Sequence, residues 1–223
     1  MEQPLRGIPG LLPCRTHAAK PRFGSGITVS QRKNRKDGFT HMQYQIENRS
    51  IITDNLILRP FVAADLPIIV ELLNDEQVTC STHAFTVPFT EDYAARWIAG
   101  DPRYVEAEGR DIFAITDRAS GELYGFICLL GELADNRAEF GYALGRRYWG
   151  RGIATEATKA LIDFGFQVRK YHKVYARHFV TNPASGRVMQ KCGMQFEGTQ
   201  LSHDYKDGHY EDVSSYGILN PAE

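Results

Sequence analysis

The sequence predicts a single α/β domain built on a mixed, mostly antiparallel central sheet flanked by helices. Three observations point to it. Short β-rich runs come first, one long amphipathic helix lies in the middle, and further strands close the chain. Turn signals at Ser120-Gly121 and Asp207-Gly208 each separate two such runs, as hairpins require. The 223 residues are 43% hydrophobic, with 12 Phe and 11 Tyr, which suffices for one packed core.

The elements follow in order from residue 50. Residues 56–59 read as a strand. Asp65 can cap a helix that has Pro67 in its first turn, with Leu66, Ile69, Val70 and Leu73 as its apolar stripe. Thr90 can cap a second helix through Trp97 and Ile98, broken near Gly100-Asp101-Pro102. Residues 111–116 and 123–130 read as paired strands, and 138–144 as another. Gly150 and Gly152 open the central helix, where Ile153, Ala157, Leu161, Phe164 and Val168 recur at helical spacing. Residues 174–180 form the next strand, and Asn182-Pro183 starts a short helix ending near Gly193. Residues 195–202 and 209–218 finish the chain as a hairpin. No internal repeat and no second domain is visible.

Residues 1–41 stand apart as a basic extension. They hold eight Lys or Arg against two acids, together with four prolines, and no helical or strand period persists. They read as disordered; an organelle transit peptide, a nucleic-acid arm and an over-long translation with a true start at Met42 are the competing readings. With a whole-chain charge of −1, the rest of the chain carries −7. That charge disfavours phosphate-backbone binding by the folded part. The four cysteines show no CxxC spacing, so neither a zinc cage nor a redox motif is indicated, and a reducing, cytoplasmic compartment is expected. No apolar run reaches the roughly 18 residues of a membrane span. No metal site and no membrane partner are expected.

The most informative stretch is residues 140–157, a strand that runs through a glycine-punctuated loop into the amphipathic helix. A first helical turn has unpaired N–H groups and the positive end of the dipole, and both attract phosphate. Gly150 and Gly152 clear the side chains from the approach, and Arg146, Arg147 and Arg151 add positive charge. The arrangement suits a diphosphate. Neither a Walker loop nor the GxGxxG dinucleotide fingerprint fits the spacing.

Arg147-x-x-Gly150-x-Gly152 resembles the acetyl-CoA signature of the GNAT N-acetyltransferases, [QR]-x-x-G-x-[GA]. The wider pattern resembles their RimJ/RimL-type branch, whose members acetylate protein N-termini. The landmarks are the runs from Asn55 to Arg59, from Tyr148 to Ala157, from Asn182 to Ser185 and from Lys191 to Gly198. The resemblance covers about residues 50–220 and implies the GNAT fold, with acetyl-CoA as co-substrate.

The resemblance further implies that the strand before the loop splays from its neighbour and admits pantetheine. Backbone groups of Ala143 and Leu144 would then hold the pantetheine amides. The amides from Arg147 through Gly150, Arg151, Gly152, Ile153 and Ala154 would hold the pyrophosphate. Asn182 would approach the pantetheine arm from the other side, while also serving as a helix cap. A neutral amine attacks the thioester directly in a ternary complex, so the protein must manage the amine's proton, the oxyanion and the leaving sulfur. The resemblance puts Ser185 at the general acid and Asp204 at the base, where the branch carries a glutamate. Glu139 is the rival base, on a strand whose alternation leaves its face open. His203, Tyr205 and His209 are candidates for shaping the acceptor pocket, and Tyr148 and Trp149 for packing under the loop. His172 and His178 have no assigned role.

The acceptor is an amine, either a peptide N-terminus or a small molecule, and the protein is expected as a monomer or homodimer. Two other functions compete. One is a CoA-binding regulatory module of the same fold without turnover. The other is a nucleic-acid-associated protein that uses the basic arm.

Overall fold

The computed structural model describes residues 28–30, 43–45, 49–82, 88–99 and 109–222. Among these, ten strands form one sheet: β1 (Thr28–Ser30), β2 (Gln43–Gln45), β3 (Ser50–Ile52), β4 (Leu56–Arg59), β5 (Arg110–Asp117), β6 (Leu123–Glu132), β7 (Arg137–Leu144), β8 (Lys173–Phe179), β9 (Gln195–Lys206) and β10 (His209–Leu219). The spatial order is β1-β2-β3-β4-β5-β6-β7-β8-β10-β9. Every neighbouring pair is antiparallel except β7 and β8. The helices are α1 (Leu66–Leu73), α2 (Glu76–Thr79), α3 (Glu91–Ala99), α4 (Ile153–Phe164) and α5 (Pro183–Lys191).

Strand alternation divides the core between the two sheet faces. Ile127 and Leu129 of β6, Phe140 and Leu144 of β7, and Val174 and Ala176 of β8 pack with Ala157, Leu161 and Phe164 of α4 and Met189 of α5. Phe126, Cys128 and Ala143 point the other way and pack with Ile69 and Leu73 of α1 and Trp97 of α3. Leu161 is fully buried, so truncating it to Ala would cost about 2–5 kcal/mol.

Several local expectations change in the structure. Asp65 makes no capping bond to α1. Its carboxylate accepts from Arg59 at 2.6 and 2.9 Å and from the Val62 N–H at 2.8 Å, because a guanidinium six residues back offers a charged fork and α1 offers only a neutral amide. Burial works against the Asp65 carboxylate, but these hydrogen bonds outweigh it and hold its pKa below the usual value. Val168 does not continue α4; it lies in a π-helical turn, Gly165–Arg169. β9 runs to Lys206, longer than expected, and the hairpin turns at Asp207-Gly208 with φ of +49° and +89°. Thr28–Ser30, inside the basic extension, forms β1 against β2; three residues are too few to show an alternation. Thr90 does cap α3, accepting from the Tyr93 N–H at 3.2 Å. The break expected at Gly100-Asp101-Pro102 lies outside the described residues.

Candidate active site

β7 and β8 stay together for only three residue pairs, Arg137↔Lys173, Ala138↔Val174 and Glu139↔Tyr175. Beyond them β7 follows β6 as far as Leu144, and β8 follows β10 as far as Phe179. The sheet therefore opens into a wedge whose apex is Glu139 and Tyr175. Among the described residues, no strand lies against the β8-facing edge of β7 from residue 140 onward. Backbone N–H and C=O groups in such a place need a partner, and an extended ligand with its own amides can supply one. A cavity of about 510 Å³ fills the wedge. Its lining includes Glu139, Ala143, Leu144, Gly150, Arg151, Gly152, Ile153, Ala154, Asn182 and Ser185.

The wide end of the wedge is the glycine loop and the start of α4. Gly150 and Gly152 have φ of +74° and +82°, which L side chains seldom adopt. A Cβ built on either glycine would meet no atom within 4 Å, so the space in front of the loop is open for a ligand. Arg151 lines the cavity there, with Arg187 and Lys191 of α5. The amides of the first turn of α4, open space and three cations fit the diphosphate of a coenzyme A. Arg147 lies outside the lining: its side chain turns out toward Glu71 at 3.6 Å and lies over the Tyr148 ring. Tyr148 packs under the loop, 2% exposed, with its hydroxyl donating to Glu122 at 2.7 Å. Trp149 does not pack beneath it. It is 45% exposed, and its indole N–H donates to the Leu144 carbonyl at 2.9 Å, occupying one lone pair of an atom expected to meet pantetheine.

At the α5 side, Asn182 joins two elements. Its Oδ1 accepts from the Ser185 N–H at 3.3 Å, and its Nδ2 donates to the Ser81 carbonyl at 3.3 Å. The cap therefore also straps the end of α2 across the cavity. Ser185 lines the cavity and accepts from the Tyr142 hydroxyl at 3.4 Å.

At the apex, Glu139 faces the α1–α3 side and accepts from Arg177 Nε at 2.9 Å. Burial works against the Arg177 charge, but Glu139, with Asp204 and Tyr175, holds its pKa above the usual value. Asp204 is outside the cavity lining, and its charge helps to raise the Arg177 pKa. His203, Tyr205 and His209 are also outside it: Tyr205 packs on Tyr210 with ring centroids 5.0 Å apart, and His209 meets Glu211 at 2.8 Å. The reason is a bulge in β9. Asp204 pairs with Glu211 but Gln200 pairs with Val213, so three residues oppose one and the hairpin tip is re-aimed.

His178 is a lining residue that the sequence reading passed over. It shares the inward face of β8 with Val174 and Ala176, and that alternation was the available signal. Its Nδ1 meets the Phe179 carbonyl at 2.7 Å, which places the proton on Nδ1. A Cβ on Gly186 would lie 2.8 Å from Nε2, so the glycine lets α5 sit close on the imidazole. Cys128 and Tyr142 were likewise missed. Burial pushes the Cys128 thiol up to about 12, so it enters the cavity as a neutral group.

Residues 55–195 match the model of the acetyltransferase (GNAT) domain. N-acetyltransferase p20 of Bacillus licheniformis is 28% identical over 172 residues, covering 76% of this chain and 96% of the relative. Spermidine N(1)-acetyltransferase of Vibrio cholerae is 25% identical over 169 residues, covering 75% and 95%. Among solved structures, a GNAT-family acetyltransferase from Bacillus anthracis superposes with a TM-score of 0.67 at 24% identity, over 77% of this chain and 98% of that one. Spermidine N-acetyltransferase from Vibrio cholerae, in complex with CoA and spermine, gives 0.64 at 24% identity, over 74% and 95%. Among the described residues, no helix is long and apolar enough to cross a membrane, and no group of three or more His, Cys, Asp or Glu is gathered as a metal site.

Proposed function

Because the chain belongs to the GNAT acetyltransferase family and is an N-acetyltransferase, we propose that it moves acetyl from acetyl-CoA to a primary amine by direct attack in a ternary complex. The observation that carries this reading is the wedge between β7 and β8, which leads from the glycine loop to the Glu139–Arg177 pair. Pyrophosphate rests on the amides of Arg147 to Ala154, and pantetheine runs along Ala143 and Leu144 with Asn182 opposite. The wedge separates the two proton-handling groups. Ser185 lies on the α5 side, and Glu139 and Arg177 lie on the α1–α3 side. The amine approaches past Glu139, its nitrogen bonds to the acetyl carbon, and the C–S bond breaks. Ser185 supplies the proton to sulfur. Glu139 takes the proton from the amine, with Asp204 tuning the pair through Arg177.

The acceptor is a single-amine molecule, either a protein N-terminal residue, as in the RimJ/RimL-type branch, or a small amine. Glu139 is the one acid among the described lining residues, and Arg177 already pairs with it. That charge balance suits one ammonium group, whereas a polyamine needs several carboxylates. Cys80, Cys128 and Cys192 are free thiols, which supports a cytoplasmic setting. The test is release of CoA thiol from acetyl-CoA with a panel of N-terminal peptides, monoamines and spermidine. Turnover with peptides or monoamines above spermidine is expected. Tight acetyl-CoA binding without thiol release from any amine would leave a regulatory module instead.

A further inference from the structure

From the reading of Ser185 as proton donor, we infer that Tyr142 is the positioning residue that makes Ser185 competent, by donating to its hydroxyl and replenishing its proton. Serine alone is poorly matched to this task. Giving its proton to a thiolate would leave an alkoxide, a far stronger base than the thiolate it relieved. A phenol, with an ordinary pKa of about 10, is much closer to a thiol's 8.5. A tyrosine behind the serine narrows the mismatch.

Tyr142 occupies that place. It lies on β7 three residues beyond the last pair with β8, opposite Ile127 of β6. Alternation with Phe140 and Leu144 turns its ring to the α4–α5 side, where it packs against the core and lines the cavity. Its hydroxyl donates to Ser185 Oγ at 3.4 Å. A hydroxyl carries one proton, so an oxygen that accepts from Tyr142 is free to aim its own elsewhere. Among the described residues no acceptor takes the Ser185 proton, and the side chain borders the cavity. The contact is long for O–H···O, as catalytic hydrogen bonds often are before substrate binds. Burial raises the Tyr142 pKa, so the phenol begins each turnover protonated.

Ser185 is itself held still. Its N–H is tied to Asn182, and the next residue, Gly186, sits against the His178 ring. The relay balances. The C–S electron pair goes to sulfur, which takes the Ser185 proton, and Oγ takes the Tyr142 proton. The proton lost by the amine returns through water to the phenolate. No group is consumed.

The experiment compares Tyr142→Phe, Ser185→Ala, the double variant, and a chain with 3-fluorotyrosine at position 142. Melting temperature and acetyl-CoA affinity are measured on each as controls. Tyr142→Phe keeps the ring and should lower kcat about tenfold or more, with the KM for acetyl-CoA within about twofold. If Tyr142 acts through Ser185, the double variant matches Ser185→Ala alone. Fluorotyrosine keeps the hydroxyl but changes its acidity, so it should restore kcat over Tyr142→Phe and alter its pH profile. A packing role would respond to neither. A kcat for Tyr142→Phe within about twofold of wild type, or effects that multiply in the double variant, would overturn the relay while leaving Ser185 in place. A wild-type kcat in Ser185→Ala would overturn the Ser185 reading and the relay with it.

Discussion

Glu156 Oε1 accepts from the Thr53 hydroxyl at 2.6 Å, joining the first turns of α4 to the turn between β3 and β4. The same carboxylate accepts from the Asn55 N–H at 2.9 Å and from Asn55 Nδ2 at 3.0 Å. Two stretches that the sequence marked separately, one beginning at Asn55 and one ending at Ala157, therefore meet through one side chain. The clasp fixes where the helix N-terminus points. Glu156→Ala removes three charge-assisted bonds, partly exposed, and should cost about 1–2 kcal/mol, a fall in Tm of about 2–8 °C. Acetyl-CoA affinity should drop several-fold as the cradle loosens. Thr53→Val removes one of the three bonds to Glu156 and also the bond that the Leu56 N–H donates to the Thr53 hydroxyl at 2.9 Å, so it should cost a similar amount of stability with a smaller loss of affinity. Unfolding curves and titration calorimetry on the two variants check this. An unchanged affinity in a destabilised Glu156→Ala would confine the clasp to stability.

Gly152→Asp separates the binding loop from the fold. The substitution forces an L side chain to φ of +82°, a strain of about 1–2 kcal/mol, but the new Cβ clashes with nothing in the protein. The chain should therefore fold. Its carboxylate would stand where the pyrophosphate is proposed to lie and repel it, so acetyl-CoA binding should be abolished by calorimetry. Undiminished affinity in the folded variant would show that the loop is not the cradle.

The extension can be tested by starting the chain at Met42. Tyr44 remains, with its ring 5.0 Å from Phe164, and so does every residue that lines the cavity. What is lost within the described residues is β1, a three-residue strand at the sheet edge. Acetyl-CoA affinity should be unchanged and Tm should fall by no more than a few degrees. A large loss in either would give residues 1–41 a structural role.

The cysteines provide a readout of burial against pH. Burial pushes both Cys128 and Cys192 up to about 12. The thiolate is the reactive form, so a raised pKa suppresses labelling until pH nears that value. In native protein between pH 7 and 9, iodoacetamide should modify the exposed Cys80 and spare Cys128 and Cys192. Peptide mass spectrometry after denaturant should find all of them reactive. Labelling of native Cys128 at pH 8 would mean that the cavity wall opens to solvent.

The sequence was informative wherever the signal was local. The hairpin turns, the helix opened by Gly152 and the strand β7 announce themselves through φ requirements and periodicity, and the structure places them as expected. β2 and β3 did not, because three-residue strands show no period and owe their pairing to each other and to β4. At the site, the turn of the glycine loop was legible because glycine spacing is a local constraint. The Glu139–Arg177 pair was not, since it depends on the three-residue register of β7 with β8. The bulge before Asp204 was hidden for the same reason: Ser202 reaches φ of +47° with its N–H on Asp212, a conformation its neighbours do not signal.

The three polar side chains proposed to handle protons can be told apart by rate and pH. Ser185→Ala, Glu139→Gln and Asp204→Asn should each leave acetyl-CoA affinity nearly unchanged. Ser185→Ala and Glu139→Gln should each lower turnover by about 10²–10⁴-fold. Asp204→Asn changes a residue outside the cavity lining and should cost less than about tenfold. Glu139→Gln also leaves a partly buried guanidinium short of its partner, so its Tm should fall, and turnover must be measured well below that temperature. The pH profiles carry the distinction. Without the base, activity should recover in part at high pH, where more of the acceptor amine is already neutral. Without the acid it should not recover, because the leaving thiolate still lacks a proton donor and high pH makes donors scarcer. If Asp204→Asn shows the recovering profile and Glu139→Gln does not, the base is Asp204. If none of the three changes turnover, solvent carries the protons and the wedge works by holding amine and thioester in line.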